Sequence, residues 1–217
     1  MNYFHDSTVI IGYIFQGADR WGKQSYEKIE DPIPNHSSKY VWEECFGAQY
    51  DDGNFNKGKC GTIKNKIVSE ARRVILKIKQ NVPLSAIIAQ ITREDYKTTE
   101  LFQSLFSKYG TNPELVKLLK TAFNRFEGLC YQRYCQINDG IKIQKHERRK
   151  GYNEIFDHLN KFIPDQADIE IIIDGHHLAT QIPDVLLITG DEGHIYLNKQ
   201  HILEKTSITD VIWLGNY

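Results

Sequence analysis

The stretch DVLLITGDEGHIYL, residues 184–197, contains a short apolar run that ends abruptly at an acid. Val185, Leu186, Leu187 and Ile188 read as a strand buried on both faces, since a short unbroken apolar run suits a parallel sheet covered on either side. Thr189, Gly190 and Asp191 follow at once. Open α/β sheets gather their ligand-binding groups outside the carboxyl ends of the strands. Asp191 therefore stands either at a site or as the cap of the next helix, and for a single acid capping is the plainer reading.

Working outward, 166–217 alternates between helix and strand. ADIEIIIDGHHLATQI is expected as a helix, although IEIIID alone has a strand's composition. HIYLNKQHILEKT is expected as a helix, and DVIWLG as a last strand. At the other end, Asn2–His5 forms a short strand closed by Asp6, and Val9–Phe15 has the length and spacing of a helix. EDPIPNHSS (30–38) is expected as a loop because two prolines and polar turn formers punctuate it. Ser37 or Ser38 then caps a helix from Lys39 that carries Val41, Trp42, Glu43 and Glu44.

The middle, 51–165, is expected to be mostly helical, with at most one strand near Ile141. Ile63, Ile67, Val74 and Ile78 recur at helical spacing, as do Leu101 and Leu105, and Leu115, Leu118, Leu119, Phe123 and Phe126 after a TNPE cap. Strands that alternate with helices at both ends imply a parallel sheet. The expectation is one α/β domain, 1–217, with a large helical insertion.

Lys plus Arg is 27 and Asp plus Glu is 28 in 217 residues, so a nucleic-acid partner is not announced by overall charge and requires a local basic patch. No apolar run is long enough to span a bilayer. The first residues lack a signal peptide's basic start and small-residue cleavage site, so a cytoplasmic location without membrane attachment is expected. Cys45, Cys60, Cys130 and Cys135 are too irregular for a disulfide framework and are expected as free thiols.

Asp6 and Asp191 each end a strand and precede a helix, so a parallel sheet places both on its carboxyl edge. Asp174 lies one helix upstream, and Glu43 or Glu44 sits near a helix start. Gathered together, such carboxylates repel one another unless a hard divalent cation such as Mg²⁺ or Mn²⁺ joins them. YFHDSTVIIGYIF, YVWEEC and DGHHLATQIPDVLLITGDEGH, in that order, resemble the motifs of PIN-domain ribonucleases. Those motifs are an aspartate closing the first strand, a helical glutamate, an aspartate opening a helix, and Thr-x-Asp after the next strand.

The resemblance covers roughly 1–50 and 166–217. It implies a three-layer α/β/α fold and a metal-dependent endoribonuclease, with Asp6, Glu44, Asp174 and Asp191 as the catalytic, metal-binding acids. Ser7, Thr189 and His177 would support them. Glu44 is preferred to Glu43 because it completes the family's V-x-x-E. The family's first motif is commonly Asp-Thr-Asn; here it is Asp6-Ser7-Thr8, which keeps the hydroxyl and loses the amide. Asp168 and Glu170 are expected on the helix surface, and His176 and His194 as helix-surface histidines.

KGKCGTIKNKIVSEARRVILKIK (57–79) holds eight basic residues against Glu70 alone, and KIQKHERRK (142–150) is a second basic cluster. Such runs are either solvated helix faces or, for an RNA-cutting protein, backbone-binding surfaces. The candidates are Lys64, Arg72, Arg73, Arg148 and Arg149. Tyr131 and Tyr134 could stack bases or pack in the core. The competing reading is an inactive PIN-fold module that binds RNA or a protein partner or inhibitor. A haloacid-dehalogenase-type phosphatase is disfavoured because it needs a second aspartate where Thr8 stands.

Overall fold

The computed structural model describes residues 1–48, 55–94, 98–147 and 151–217. Its centre is the pair β1 (Asn2–His5) and β4 (Val185–Thr189), both lined by buried side chains. They sit within a five-stranded, all-parallel sheet. The order is β3 (Gln144–His146), β2 (Asn35–Ser38), β1, β4, β5 (Asp210–Trp213). Asn2 lies opposite Val185 and His5 opposite Ile188, so Asp6 and Thr189 leave the sheet together at its carboxyl edge.

The helices are α1 (Ser7–Ile14), α2 (Gly22–Glu30), α3 (Lys39–Phe46), α4 (Gly58–Lys79), α5 (Leu84–Arg93), α6 (Thr99–Tyr109), α7 (Leu115–Asn138), α8 (Asn153–Leu159), α9 (Gln166–Ala179) and α10 (Lys199–Lys205). The chain winds outward from β1 to β2 and β3, then returns to β4 and moves the other way to β5. The helices about the sheet pack in two groups, α1 on α2, α3 and α7, and α8 on α9 and α10. The direction of winding reverses between β1 and β4, the position at which open α/β sheets form their binding crevice.

Two expectations are corrected. Residues 35–38, expected as loop, form β2. Their polar side chains find partners within the sheet: Ser37 Oγ donates to the His5 carbonyl at 2.7 Å, Asn35 Oδ1 meets His5 Nε2 at 2.7 Å, and His36 Nδ1 meets His146 Nε2 at 2.9 Å, which leaves only the far nitrogen of His36 without one. The one strand that the middle stretch was expected to allow near Ile141 is β3, an edge strand beside β2. Residues 194–206 are not one helix; a π-helical turn, Glu192–Tyr196, precedes α10.

One large core joins the sheet to α1, α3, α9 and the near halves of α4 and α7. The far half of α4 packs with α5, α6 and the start of α7 around Val74, Ile87, Ile91, Phe102 and Leu119, a second core. Among the described residues no helix is long and apolar enough to cross a membrane.

Candidate metal centre

Asp6 is the buried hub. It caps α1, with Oδ1 accepting from the Val9 N–H at 3.0 Å and from Thr8 Oγ1 at 2.7 Å. Its other oxygen accepts from Thr189 Oγ1 at 2.5 Å. The two threonines also face the other way: Thr8 Oγ1 accepts from the Gly190 N–H at 2.6 Å, and Thr189 Oγ1 from the Asp191 N–H at 2.8 Å. The ends of β1 and β4 are thereby tied together through one carboxylate. Thr8 thus supplies a hydroxyl where the resembled family has an amide. A side chain at Gly190 would place its first carbon 2.6 Å from Trp21 and 2.8 Å from Thr8 Oγ1, so only glycine fits. Burial pushes the Asp6 carboxyl up to about 6 against these hydrogen bonds, and Glu44 adds to the rise.

Glu44 is therefore the member of the Glu43–Glu44 pair that shares the field of Asp6. Ser38, not Ser37, caps α3 and sets its rotation, accepting from the Val41 N–H. Glu44 Oε1 lies 2.5 Å from Lys59 Nζ in the first turn of α4, and Oε2 is buried with no hydrogen-bond partner. Lys59 reaches it because Gly58 adopts a left-handed φ of 61°, and its α-carbon abuts the carbonyl of Cys45. Glu44 and Asp168 both help hold the Lys59 ammonium in its charged form, against the effect of burial.

Asp168 is the acid that sequence reasoning assigned to the surface. Helix α9 starts at Gln166 behind the Asp165 cap and runs antiparallel to β4, so only its first turn overhangs the carboxyl edge. Asp168 lies in that turn. Asp174, expected as the third acid, follows six residues later, about 9 Å down the helix, and is buried. Burial pushes Asp168 up to about 7, with Asp165, Asp191 and Asp6 adding repulsion and a hydrogen bond to His194 opposing it. The signal was present in the sequence, since Pro164-Asp165 is a helix-start pair.

Asp191 caps the next turn and also lies beside Asp168 and His194. Oδ1 accepts from the His194 N–H at 2.7 Å as the cap of the π-helical turn, and Oδ2 lies 3.8 Å from His194 Nδ1, which is itself 3.0 Å from Asp168 Oδ2. No protein-family model, curated protein or solved structure matches this chain. The chemistry of the site therefore rests on its own geometry.

That geometry suits a hard cation. Four acids from four segments share one field, two are raised by burial, and one carboxylate oxygen is buried without a partner. At this end of the sheet Asp165, Asp168 and His194 bring ligand atoms within 4.8 Å of one another. Asp6, Glu44 and Asp191 ring this group at longer range, which suits a cation that keeps water in its shell.

Other expected residues fall elsewhere. Ser7 is buried, but its hydroxyl makes no hydrogen bond to the acids; its carbonyl accepts from the Cys45 thiol. His177 bonds Tyr152 through Nδ1 and Gln181 through Nε2. Lys64 is engaged by Glu127 at 2.9 Å and lies over the Phe55 ring. Arg73 pairs with Glu94, and Arg72 lines an apolar cavity of about 310 Å³ between α4 and α7. Both arginines lie some 20 Å along α4 from Lys59, so they do not flank the acids as expected. Arg148 and Arg149 lie outside the described residues. Tyr134 is core and Tyr131 is half exposed against Phe55.

Proposed function

We propose that this chain is a PIN-like, divalent-metal-dependent ribonuclease whose acids are Asp6, Glu44, Asp168 and Asp191. The observation that carries the reading is the convergence of these carboxylates at the winding reversal between β1 and β4. Thr8 and Thr189 fix both oxygens of Asp6, the capping bond fixes Asp191, and Glu44 keeps one oxygen uncommitted. These residues would hold Mg²⁺ or Mn²⁺. A cation there supplies acidified water at neutral pH and offsets charge that builds on a phosphodiester. His194 orients Asp168, and Lys59 presents positive charge to a polyanion at the rim. Free thiols and an RNA substrate go with a cytoplasmic site of action.

The Lys59–Glu44 pair favours a second reading, an inactive module that binds RNA or a protein, because a built-in cation already serves the acids. Cleavage of single-stranded RNA with Mn²⁺ or Mg²⁺ separates the two. Wild type and Asp174→Asn should cut, while Asp168→Asn and Asp191→Asn should not. Binding without cleavage by wild type would select the second reading, and loss of cutting in Asp174→Asn alone would restore Asp174 to the site.

A further inference from the structure

In the second helix group, α8 and α10 turn two histidines toward each other. His158 is in the last turn of α8 and His201 is the third residue of α10. Their ring centroids are 6.2 Å apart. His158 Nε2 and His201 Nδ1 are shut off from solvent, and neither has a hydrogen-bond partner. A buried polar atom left unsatisfied is destabilising, so two facing ones require an explanation. Glu204, one turn along α10, brings Oε2 to 3.7 Å from His201 Nδ1. Ligand atoms of the three residues lie within 4.8 Å of one another.

We propose that His158, His201 and Glu204 form a binding site for a zinc-class transition-metal ion that pins α8 to α10. Two imidazole nitrogens and one carboxylate oxygen are a donor set for Zn²⁺, with a fourth position left to water, whereas Mg²⁺ and Mn²⁺ favour all-oxygen shells. The surroundings fix the ligands. Phe162 stacks on His201 with centroids 3.6 Å apart and planes 8° from parallel, and it also touches the His158 ring. Gln200 Nε2 donates to the other Glu204 oxygen at 3.1 Å, an outer-shell contact that aims the carboxylate. One ion would satisfy both buried nitrogens and cross-link the two helices. This site is independent of the acid cluster and of any nuclease activity.

The test is titration of metal-stripped full chain with Zn²⁺ by calorimetry, and with Co²⁺ by visible absorption, in excess Mg²⁺ to fill the acid cluster. Wild type should take up one equivalent, show tetrahedral Co²⁺ bands and melt at higher temperature. His158→Gln, close to isosteric, and Glu204→Gln should each weaken binding, the histidine change by at least the ~100-fold that loss of an outer-shell partner can cost. Metal-free circular dichroism of each variant checks that it folds. Absence of saturable Zn²⁺ binding by wild type overturns the proposal. So does binding that survives both changes but is lost in Asp168→Asn.

Discussion

The Lys59 ammonium stands 2.5 Å from Glu44 Oε1 and within the field of Asp168, so an internal cation stabilises acids that would otherwise repel. It competes with any metal for the same carboxylates. Lys59→Met should therefore bind Mn²⁺ more tightly, by roughly tenfold or about 1.4 kcal/mol, read by paramagnetic resonance titration. Without metal the same variant should lose about 1 kcal/mol, since the half-exposed lysine is screened by solvent, and melt roughly 2–4 °C lower. Unchanged metal affinity would mean that Lys59 only anchors α4.

Thr8→Val keeps the shape of the side chain and removes its two hydrogen bonds. It strands the Gly190 N–H and lets the buried Asp6 carboxyl rise further. Denaturant titration should show a loss of about 1–3 kcal/mol, and Thr8→Ser should restore most of it. Equal stability of the valine variant would show that the strand ends are held by other means.

Gly190→Ala forces a methyl against Trp21 and Thr8 at distances no packed carbon adopts. Overpacking of this kind costs about 1–3 kcal/mol. The emission of Trp21, which packs at this edge, should shift in the folded variant. An alanine variant as stable as wild type would mean that Trp21 swings clear.

Acid should loosen the β2–β3 edge first. Burial pushes His36 down to about 4 and holds its neighbour His146 low, with His177 adding repulsion to His146. The unfolded chain binds these protons near pH 6.5. The contribution is complete above about 6.5 and is lost as pH falls toward 4. Asp6 and Asp168 act oppositely: their raised values, about 6 and about 7, make them stabilise the metal-free protein as pH falls toward 3.8. Global melting therefore mixes opposed terms, and amide exchange at β3, corrected for intrinsic rate, isolates the histidines. Protection there should fall between pH 7.5 and 5 in wild type and stay flat in His36→Gln.

What could be read in the sequence was governed by whether a residue's partner is local. β1 and β4 announce themselves because their neighbours on both faces are apolar, and the strand-end positions of Asp6 and Asp191 follow directly. β2 was hidden because Ser37 and His36 find their partners in His5 and His146, far along the chain. Asp168 and Asp174 are both acids on one helix, and only the cap at Asp165 says which turn reaches the sheet edge. Thr8 looked like a missing amide until its hydroxyl met Gly190. Lys59 belonged to a basic run whose other members point elsewhere, and only the left-handed turn at Gly58 singles it out.

The hydrogen bond from Thr189 to Asp6 joins residues 183 positions apart. During synthesis Asp6 leaves the ribosome long before Thr189, while its complement is still unwritten. The growing polypeptide carries only an orphan aspartate until β4 has emerged and docked beside β1. Chains released early by truncation or stalling are therefore born without the centre, whatever else they manage to fold.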